Sequence, residues 1–462
     1  MDDVELLSSF VVPCRYDHAS EGQFREIRDR RLRVQLEKAY ENVPYWHDLM
    51  DDARIRPGEI RTVDDLSRLP LSTKDQIVSR PTRDRLGSDP SKLIQRYTSG
   101  TTGPPMEVYY SIGFILSTLI YLHGHFRRWY GLGRMFKVLQ ISSVSPAAPS
   151  LVSKPGEAAR SPAWQRRARG EATRPGAAIF WPAIDRFVRS VHFERRIETV
   201  LPVIKTFAPD VIMINASYLR MLADYAGETV ESVRPKVLIS TGEPLDEPTR
   251  SYVERRLGSP VCQMYGSNET GSLALDCLEG RNLHIFSDRA IVEVLSKEGE
   301  PVRPGEMGEI VVSELLNQGM PLLRYKMRDL GYASSEVCPC GRSLPLLKSV
   351  EGRQIDCIAT RDGRLVTPKR ILALMHSAEG LPRCQLVQRS RDSFTLRVFP
   401  WSGVRDPNPD GLISELVGAL RSELGSQVDI SVSRVQVDEP PKRKMRPVIV
   451  QMSSRPEPYP IS

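Results

Sequence analysis

The sequence predicts an α/β protein: a large N-terminal α/β domain with parallel-type sheets and a β-rich subdomain, then a small C-terminal α+β domain. Three observations predict it. Between residues 211 and 265, short apolar runs alternate with helical patterns: Val211–Ile214, a helix at 217–226, Lys236–Ser240, a helix at 247–257 and Val261–Tyr265. That rhythm belongs to βαβ units. From 284 to 334 the pattern shortens to alternating runs such as Ile291-Val292-Glu293-Val294 and Glu309-Ile310-Val311-Val312, broken by turns such as Pro304-Gly305. After Gly352-Arg353 the texture changes to runs at 382–388 and Ser393–Phe399, a helix at 409–424 and a run at Val428–Val437. These shifts divide the chain into 1–351, a junction at 352–356, and 357–462.

The N-terminal elements follow from the same patterning. Residues 22–42 put Phe24, Ile27, Leu32, Leu36, Ala39 and Tyr40 on one stripe of a helix, and Asn42-Val43-Pro44 ends it. Residues 62–78 read as a loop and short helix, with Thr62 and Ser72 as candidate N-caps. Two short strands, Leu93–Tyr97 and Val108–Tyr110, bracket a polar turn. A helix begins at 112 and a strand follows at Lys137–Ile141. Residues 143–178, rich in Ser, Pro, Ala, Gly and Arg, read as a long surface loop.

Bulk composition narrows the function. A chain of 462 residues, 40% hydrophobic and 26% charged, can bury a sizeable core and is of the globular class. No apolar run reaches membrane-spanning length. The start, Met1-Asp2-Asp3-Val4-Glu5, is acidic and unlike a secretory signal, so a cytoplasmic location is expected. The net charge of +7 is spread along the chain apart from 160–174 and 442–446, without interleaved aromatics, which argues against nucleic acid as partner. Seven cysteines in so large a chain argue against a disulfide framework.

The polar turn carries the chemistry. In Tyr97-Thr98-Ser99-Gly100-Thr101-Thr102-Gly103-Pro104-Pro105, four hydroxyl side chains sit among two glycines. Glycines let the backbone approach a ligand, and its N–H groups with the hydroxyls form a concavity for phosphate oxygens. No Gly-Lys-Ser/Thr follows, so this is not the usual P-loop NTPase pattern. By itself the segment is equally a solvated hairpin turn.

Three later stretches resolve the choice: Met264-Tyr265-Gly266-Ser267-Asn268-Glu269-Thr270-Gly271, Arg324-Tyr325-Lys326-Met327-Arg328-Asp329-Leu330 and Gly352-Arg353-Gln354-Ile355-Asp356. In this order, with the polar turn, they resemble the adenylate-forming enzymes, in the phenylacetate–CoA ligase branch with its capsule-biosynthesis relatives. Arg30-Arg31-Leu32, Tyr40–Trp46, Asp64-Asp65-Leu66 and Leu69–Lys74 support that branch. The resemblance implies ATP-dependent activation of a small, aromatic carboxylic acid as its acyl-adenylate, release of pyrophosphate, and transfer to CoA. It implies a mobile C-terminal domain turning about a hinge at 352–356.

Carried over position by position, Thr98, Ser99, Gly100, Thr101, Thr102 and Gly103 grip the ATP phosphates, and Glu269 holds Mg²⁺. Tyr265, Gly266, Ser267 and Asn268 lie at the nucleotide, Tyr265 near adenine, and Gly242-Glu243 form an adenine-contacting turn. Asp329 accepts from the ribose hydroxyls, Arg353 reaches ribose or phosphate, and Lys444 meets the substrate carboxylate and α-phosphate during adenylation. Pro104 stands where the family commonly has Lys, leaving that role to another cation; Arg328 stands for Gly, Arg443 for Gly, and Ile355 for the hinge Asp or Lys. These departures keep two alternatives open: transfer to a carrier-protein thiol or an amine, and a non-catalytic nucleotide-binding relative.

Cys338-Pro339-Cys340, with Cys277 and His284, offers three thiolates and an imidazole, a donor set for structural Zn²⁺ or a group of free buried cysteines. His123 and His125 read as packed helix residues. The expected partners are a small carboxylic acid and CoA or another thiol or amine acceptor; a homodimer is left open.

Overall fold

The computed structural model describes residues 14, 16–98, 105–143, 187–193, 197–225, 233–381, 383–399, 409–435 and 446–452. The long loop read at 143–178 therefore lies almost wholly outside the described residues.

The expected α/β class is borne out. An 11-stranded mixed sheet runs through the chain up to Arg353 in the order β10-β11-β12-β13-β9-β8-β7-β6-β5-β3-β4. Its parallel half is β3 (Val138–Ser143), β4 (Val188–Phe193), β5 (Val211–Ile214), β6 (Val237–Thr241) and β7 (Val261–Ser267). Period-two side-chain alternation sends Ile212, Ile214 and Leu238 to one face, where they meet Leu219, Leu222, Val253 and Leu257 of helices Ala216–Tyr225 and Glu247–Leu257. Val211, Val237 and Ile239 go to the other face, against Tyr121, Phe126 and Trp129 of helix Ile112–Trp129. A strand apolar on both faces is what a doubly covered parallel sheet requires.

The β-rich stretch continues the same sheet. β8 (Gly271–Asp276), β9 (Leu283–Ile285), β10 (Ala290–Leu295), β11 (Met307–Glu314), β12 (Tyr325–Ala333) and β13 (Leu346–Arg353) add antiparallel strands. Two short strands, β1 (Ile94–Tyr97) and β2 (Glu107–Tyr110), form a separate antiparallel hairpin at the polar turn.

Helix Glu21–Asn42 starts at a reciprocal cap between Ser20 and Gln23 and buries Leu32 and Leu36 completely. Ser72 is not a helix cap. Thr73 caps Lys74–Ser79, accepting from the Gln76 amide, while Ser72 is consumed by the sheet. Its N–H donates to the Arg324 carbonyl at 2.9 Å, its carbonyl accepts from Lys326 N–H at 2.9 Å, and its hydroxyl donates to the Leu323 carbonyl at 2.8 Å. Arg324 completes the stitch from the other side. Its Nη1 donates to the Ser67 and Leu69 carbonyls, each at 2.8 Å, and its Nε and Nη2 grip both Glu293 oxygens at 3.3 and 3.1 Å. A hydrophobic cluster built on Trp46, Met50, Leu66, Leu69, Leu322 and Leu323 excludes water around it.

Beyond Arg353, β14 (Ile358–Ala359) and β15 (Leu365–Val366) pair antiparallel, and β16 (Cys384–Gln388), β17 (Ser393–Val398), β18 (Asp429–Arg434) and β19 (Val448–Val450) form a four-stranded sheet in the order β18-β17-β16-β19. Helices Pro368–Met375 and Pro409–Leu424 close one apolar cluster with it, including Ile371, Leu386, Leu396, Leu416 and Leu420. At the end of β13 Gly352 adopts φ +106°, and a Cβ there would stand 3.1 Å from Pro368 and 3.3 Å from Pro244. Only glycine meets both conditions without strain.

Breaking a buried ion pair by removing one partner leaves an uncompensated charge. Arg324→Met is therefore expected to cost about 3–5 kcal/mol in urea unfolding, whereas Arg324→Met with Glu293→Met is expected to recover most of that loss. A single mutant as stable as the parent would contradict the assigned role.

Candidate active site

The site grows from the bulges of two strands. β7 and β8 pair with a register shift at Tyr265/Gly266, and the backbone of Gly271 closes so far over Gly266 that a Cβ there would lie 2.2 Å from its carbonyl oxygen. The five-residue turn that follows is held by Ser267, whose hydroxyl accepts from the Glu269 and Thr270 amides at 3.1 and 3.3 Å. Asn268 then donates from Nδ2 to the Tyr97 carbonyl at 2.9 Å, which ties this turn to the end of β1. At that end Thr98 is buried, and it exchanges two bonds with Met106: amide to carbonyl at 3.0 Å, and Met106 amide to Thr98 Oγ1 at 2.9 Å. The neck of the polar turn is thus closed and fastened to the Tyr-Gly-Ser-Asn-Glu turn. Ser99, Gly100, Thr101, Thr102, Gly103 and Pro104 lie outside the described residues, as do Lys442, Arg443 and Lys444.

The second bulge is in β12. Glu309 of β11 pairs with Leu330 and Val311 with Lys326, so Met327, Arg328 and Asp329 oppose one residue. The extra backbone is taken up by Arg328 at φ +60°, the left-handed region that favours glycine. The turn is made with an arginine in the position, and its guanidinium pairs with Asp75. The result puts Asp329 directly opposite Arg353 of β13, with Arg353 Nε 4.0 Å from Asp329 Oδ1. Tyr265 donates its phenol proton to Asp329 Oδ2 at 3.0 Å. Burial, then the Asp329 carboxylate, raises the Tyr265 phenol well above its ordinary range, so it stays a donor.

One cation in this group was not singled out by the motifs. Lys74 heads the helix that follows the Ser72 stitch, and its charge is felt by Glu269, Arg328, Arg353 and Asp75 together. Burial pulls its pKa down, and Glu269 opposes that pull. The signal available beforehand was Leu69–Lys74 as a branch-specific run, together with a cation unaccounted for at Pro104.

Other expected residues make contacts of their own. Glu243 Oε2 accepts from the Ser217 amide at 2.8 Å, and Gly242 turns at φ +70°; both sit just past β6. Arg446 pairs with Asp356 inside the 352–356 junction, and its carbonyl accepts from Gln385 at 2.6 Å. His125 is a packed helix residue, fully buried among Tyr121, Trp129 and Phe286, whereas His123 is exposed with its ring stacked on Phe136.

Cys277, His284, Cys338 and Cys340 come together with their donor atoms within 4.8 Å of one another. Cys277 and Cys338 sulfurs are 3.4 Å apart as free thiols, and Cys340 Sγ is 3.5 Å from His284 Nε2. Burial and the nearby Arg342 pull His284 down to about 4, so its ring is neutral near pH 7 with a lone pair to give. Tetrahedral Zn–S bonds of about 2.3 Å put sulfurs about 3.8 Å apart, so the donor set fits such an ion.

With this geometry in hand, comparison with known proteins is informative. The model of the AMP-binding enzyme family matches residues 186–317. The phenylacetate–coenzyme A ligase of Thermus thermophilus is 28% identical over 381 residues, covering 79% of this chain and 78% of the relative. That of Escherichia coli is 25% identical over 407 residues, covering 82% and 83%. Among solved structures, 2-hydroxyisobutyryl-CoA ligase in its postadenylation state with 2-HIB-AMP superposes with a TM-score of 0.75 at 19% identity, covering 95% of this chain and 91% of that one. The same ligase in its thioesterification state gives 0.61. The resemblance to adenylate-forming enzymes of the phenylacetate–CoA ligase branch is borne out, and the structures share the fold. Among the described residues no helix is long and apolar enough to cross a membrane.

The bulge makes Gly266 irreplaceable. Gly266→Ala is expected to lower stability by more than about 1 kcal/mol in thermal unfolding, while Gly58→Ala, where nothing lies within 4 Å, is expected to be near neutral. Equal effects would contradict the close approach.

Proposed function

We propose that this chain, like the adenylate-forming enzymes it resembles, joins a small carboxylic acid to AMP and passes the acyl group to CoA. An aromatic acid is the finer reading, drawn from the phenylacetate ligases among its relatives. The observation that carries the proposal is the convergence of Tyr265, Asp329, Arg353, Glu269 and Lys74 beside the fastened neck of the polar turn.

The chemistry follows from what each group can do. Asp329 has a carboxylate oriented by Tyr265 and can accept from both ribose hydroxyls. Thr98 and the turn behind it offer donors to the phosphates. Lys74 and Arg353 supply positive charge around Glu269, and Lys74 fills the role left open by Pro104. An acid oxygen attacks the α-phosphorus, the bond to the β-phosphate oxygen breaks, and pyrophosphate leaves; cations placed beforehand stabilise the charge on the phosphoryl oxygens. Glu269 is the residue that would hold Mg²⁺, which when bound neutralises phosphate charge. Lys444 is assigned to the acid and α-phosphate in this first half. A turn of the C-terminal domain about 352–356 then withdraws it, so that the CoA thiol attacks the acyl carbon and AMP leaves. The Arg446–Asp356 pair ties the segment just after Lys444 to that pivot.

Cys277, His284, Cys338 and Cys340 are proposed to hold a structural Zn²⁺, for which their four converging donors and the neutral His284 are the support. Their role is to tie the 338–340 turn to β8 and β9.

Three measurements test it. Pyrophosphate release from ATP across a panel of carboxylic acids, with CoA consumption compared against amine acceptors, is expected to be acid-dependent and CoA-coupled. Lys444→Ala is expected to lower acid-dependent ATP–pyrophosphate exchange at least about 100-fold, and undiminished exchange would reject that role. For the metal, elemental analysis of untreated protein is expected to find one zinc per chain, reduced in Cys338→Ser together with the unfolding temperature. Folded, untreated protein free of zinc would remove the site.

A further inference from the structure

Near the Cys277–His284–Cys338–Cys340 group lies a second cluster of ligating side chains, which the reaction does not use. Cys14, Asp17 and His125 are all buried, and their sulfur, carboxylate oxygen and ring nitrogen lie within 4.8 Å of one another. Two distant pieces of chain deliver them. Cys14 and Asp17 close a turn in which the Asp17 amide donates to the Cys14 carbonyl at 3.2 Å. Cys14 sits there at φ +67°, a left-handed backbone that is costly for a side chain with a Cβ. His125 comes from helix Ile112–Trp129.

The contact between Asp17 and His125 calls for positive charge. His125 Nδ1 lies 2.8 Å from the Tyr121 carbonyl, which can only accept, so Nδ1 bears the ring proton. In the neutral ring Nε2 then presents a lone pair. Nε2 is wholly buried without a hydrogen-bond partner among the described residues, although Asp17 Oδ1 stands 3.3 Å away. By contrast, His376 Nδ1 makes a hydrogen bond of 3.0 Å with Asp246 Oδ2. Two electron-rich atoms facing each other away from water repel unless a cation lies between them.

The surroundings suit a metal ion. Tetrahedral bonds of about 2.0–2.1 Å to nitrogen and oxygen put two such donors about 3.3 Å apart. The Tyr121 carbonyl fixes the His125 tautomer, and Trp129 Nε1 donates to Asp17 Oδ2 at 2.7 Å, as outer partners of ligating groups do. Arg342 Nε also lies on the Oδ2 side, at 3.9 Å, which leaves Oδ1 for the ion. We propose that Cys14, Asp17 and His125 bind a divalent transition-metal ion of the zinc class, fastening the 14–17 turn to helix Ile112–Trp129. Sulfur and imidazole select such an ion over Mg²⁺ or Ca²⁺. The Cys14 thiol, held protonated by burial and by Asp17, gives its proton to solvent as the ion binds. With three protein donors and one thiolate, against four and three in the neighbouring group, this site is the weaker and fills from added metal.

Cobalt(II) is the probe. The purified parent, C14S, D17N, H125Q and C338S are titrated with Co²⁺, with zinc measured in the same samples. The parent is expected to take up one Co²⁺ per chain beyond any that replaces zinc. Visible bands of a four-coordinate ion, a near-ultraviolet sulfur-to-cobalt band and a higher unfolding temperature are expected with it. C338S is expected to keep that uptake. C14S is expected to lose the sulfur band, and C14S, D17N and H125Q each to bind at least about tenfold more weakly. No uptake beyond zinc exchange would overturn the proposal and leave a buried Asp17–His125 pair sharing a proton. So would uptake lost in C338S, or a sulfur band that survives C14S. Should H125Q fail to fold, C14S and D17N decide. A zinc-free parent would remove the neighbouring site, and C338S still decides this one.

Discussion

The site depends on a stitch far from its chemistry. Ser72 bridges to the strand at Tyr325, and Arg324 reaches back to the Ser67 and Leu69 carbonyls while Glu293 balances its charge. Two segments more than 250 residues apart in sequence become one piece of backbone. Lys74 therefore comes within electrostatic reach of Glu269, and the strand that begins at Tyr325 carries Asp329 to Arg353. Because Ser72 and Arg324 are both buried, the bonds from Ser72 to Leu323 and from Arg324 to Leu69 are made away from water. The hydrophobic cluster around Trp46 and Leu323 exists on both sides of it, so packing and hydrogen bonding fix the same geometry.

Strain appears where the site needs it. Arg328 occupies a backbone region that costs a non-glycine residue about 1 kcal/mol or more. The bulge it creates turns Asp329 toward Tyr265, and its own side chain is engaged by Asp75. The other bulge needs glycine for a different reason: Gly266 has no room for a side chain under Gly271. One strand pays in conformation and the other in residue identity, and both deliver side chains to the same place.

Much of this was legible beforehand because it rests on short-range physics. The alternation of β5, β6 and β7 with their helices followed from periodicity, and it holds to within a residue or two at most ends. The hairpin around Thr98 was legible from two apolar runs about a polar turn. What the residues could not announce was long-range register. Ser72 looked like a helix cap because serine before a helix usually is one, and only the partner strand shows that its bonds are spent elsewhere. Lys74 is passed over for the same reason: a charge becomes informative when the charges around it are known. Likewise nothing in the sequence announces that Arg446, just past Lys444, pairs with Asp356.

Everything above turns on nucleotide being held between the Tyr265–Asp329–Arg353 group and the fastened neck of the polar turn. A crystal structure with a non-hydrolysable ATP analogue tests it most directly. The account predicts ribose hydroxyls on Asp329, and phosphates lying between Thr98 and Lys74 with a divalent ion at Glu269. Nucleotide bound elsewhere, or ribose without contact to Asp329, would contradict it.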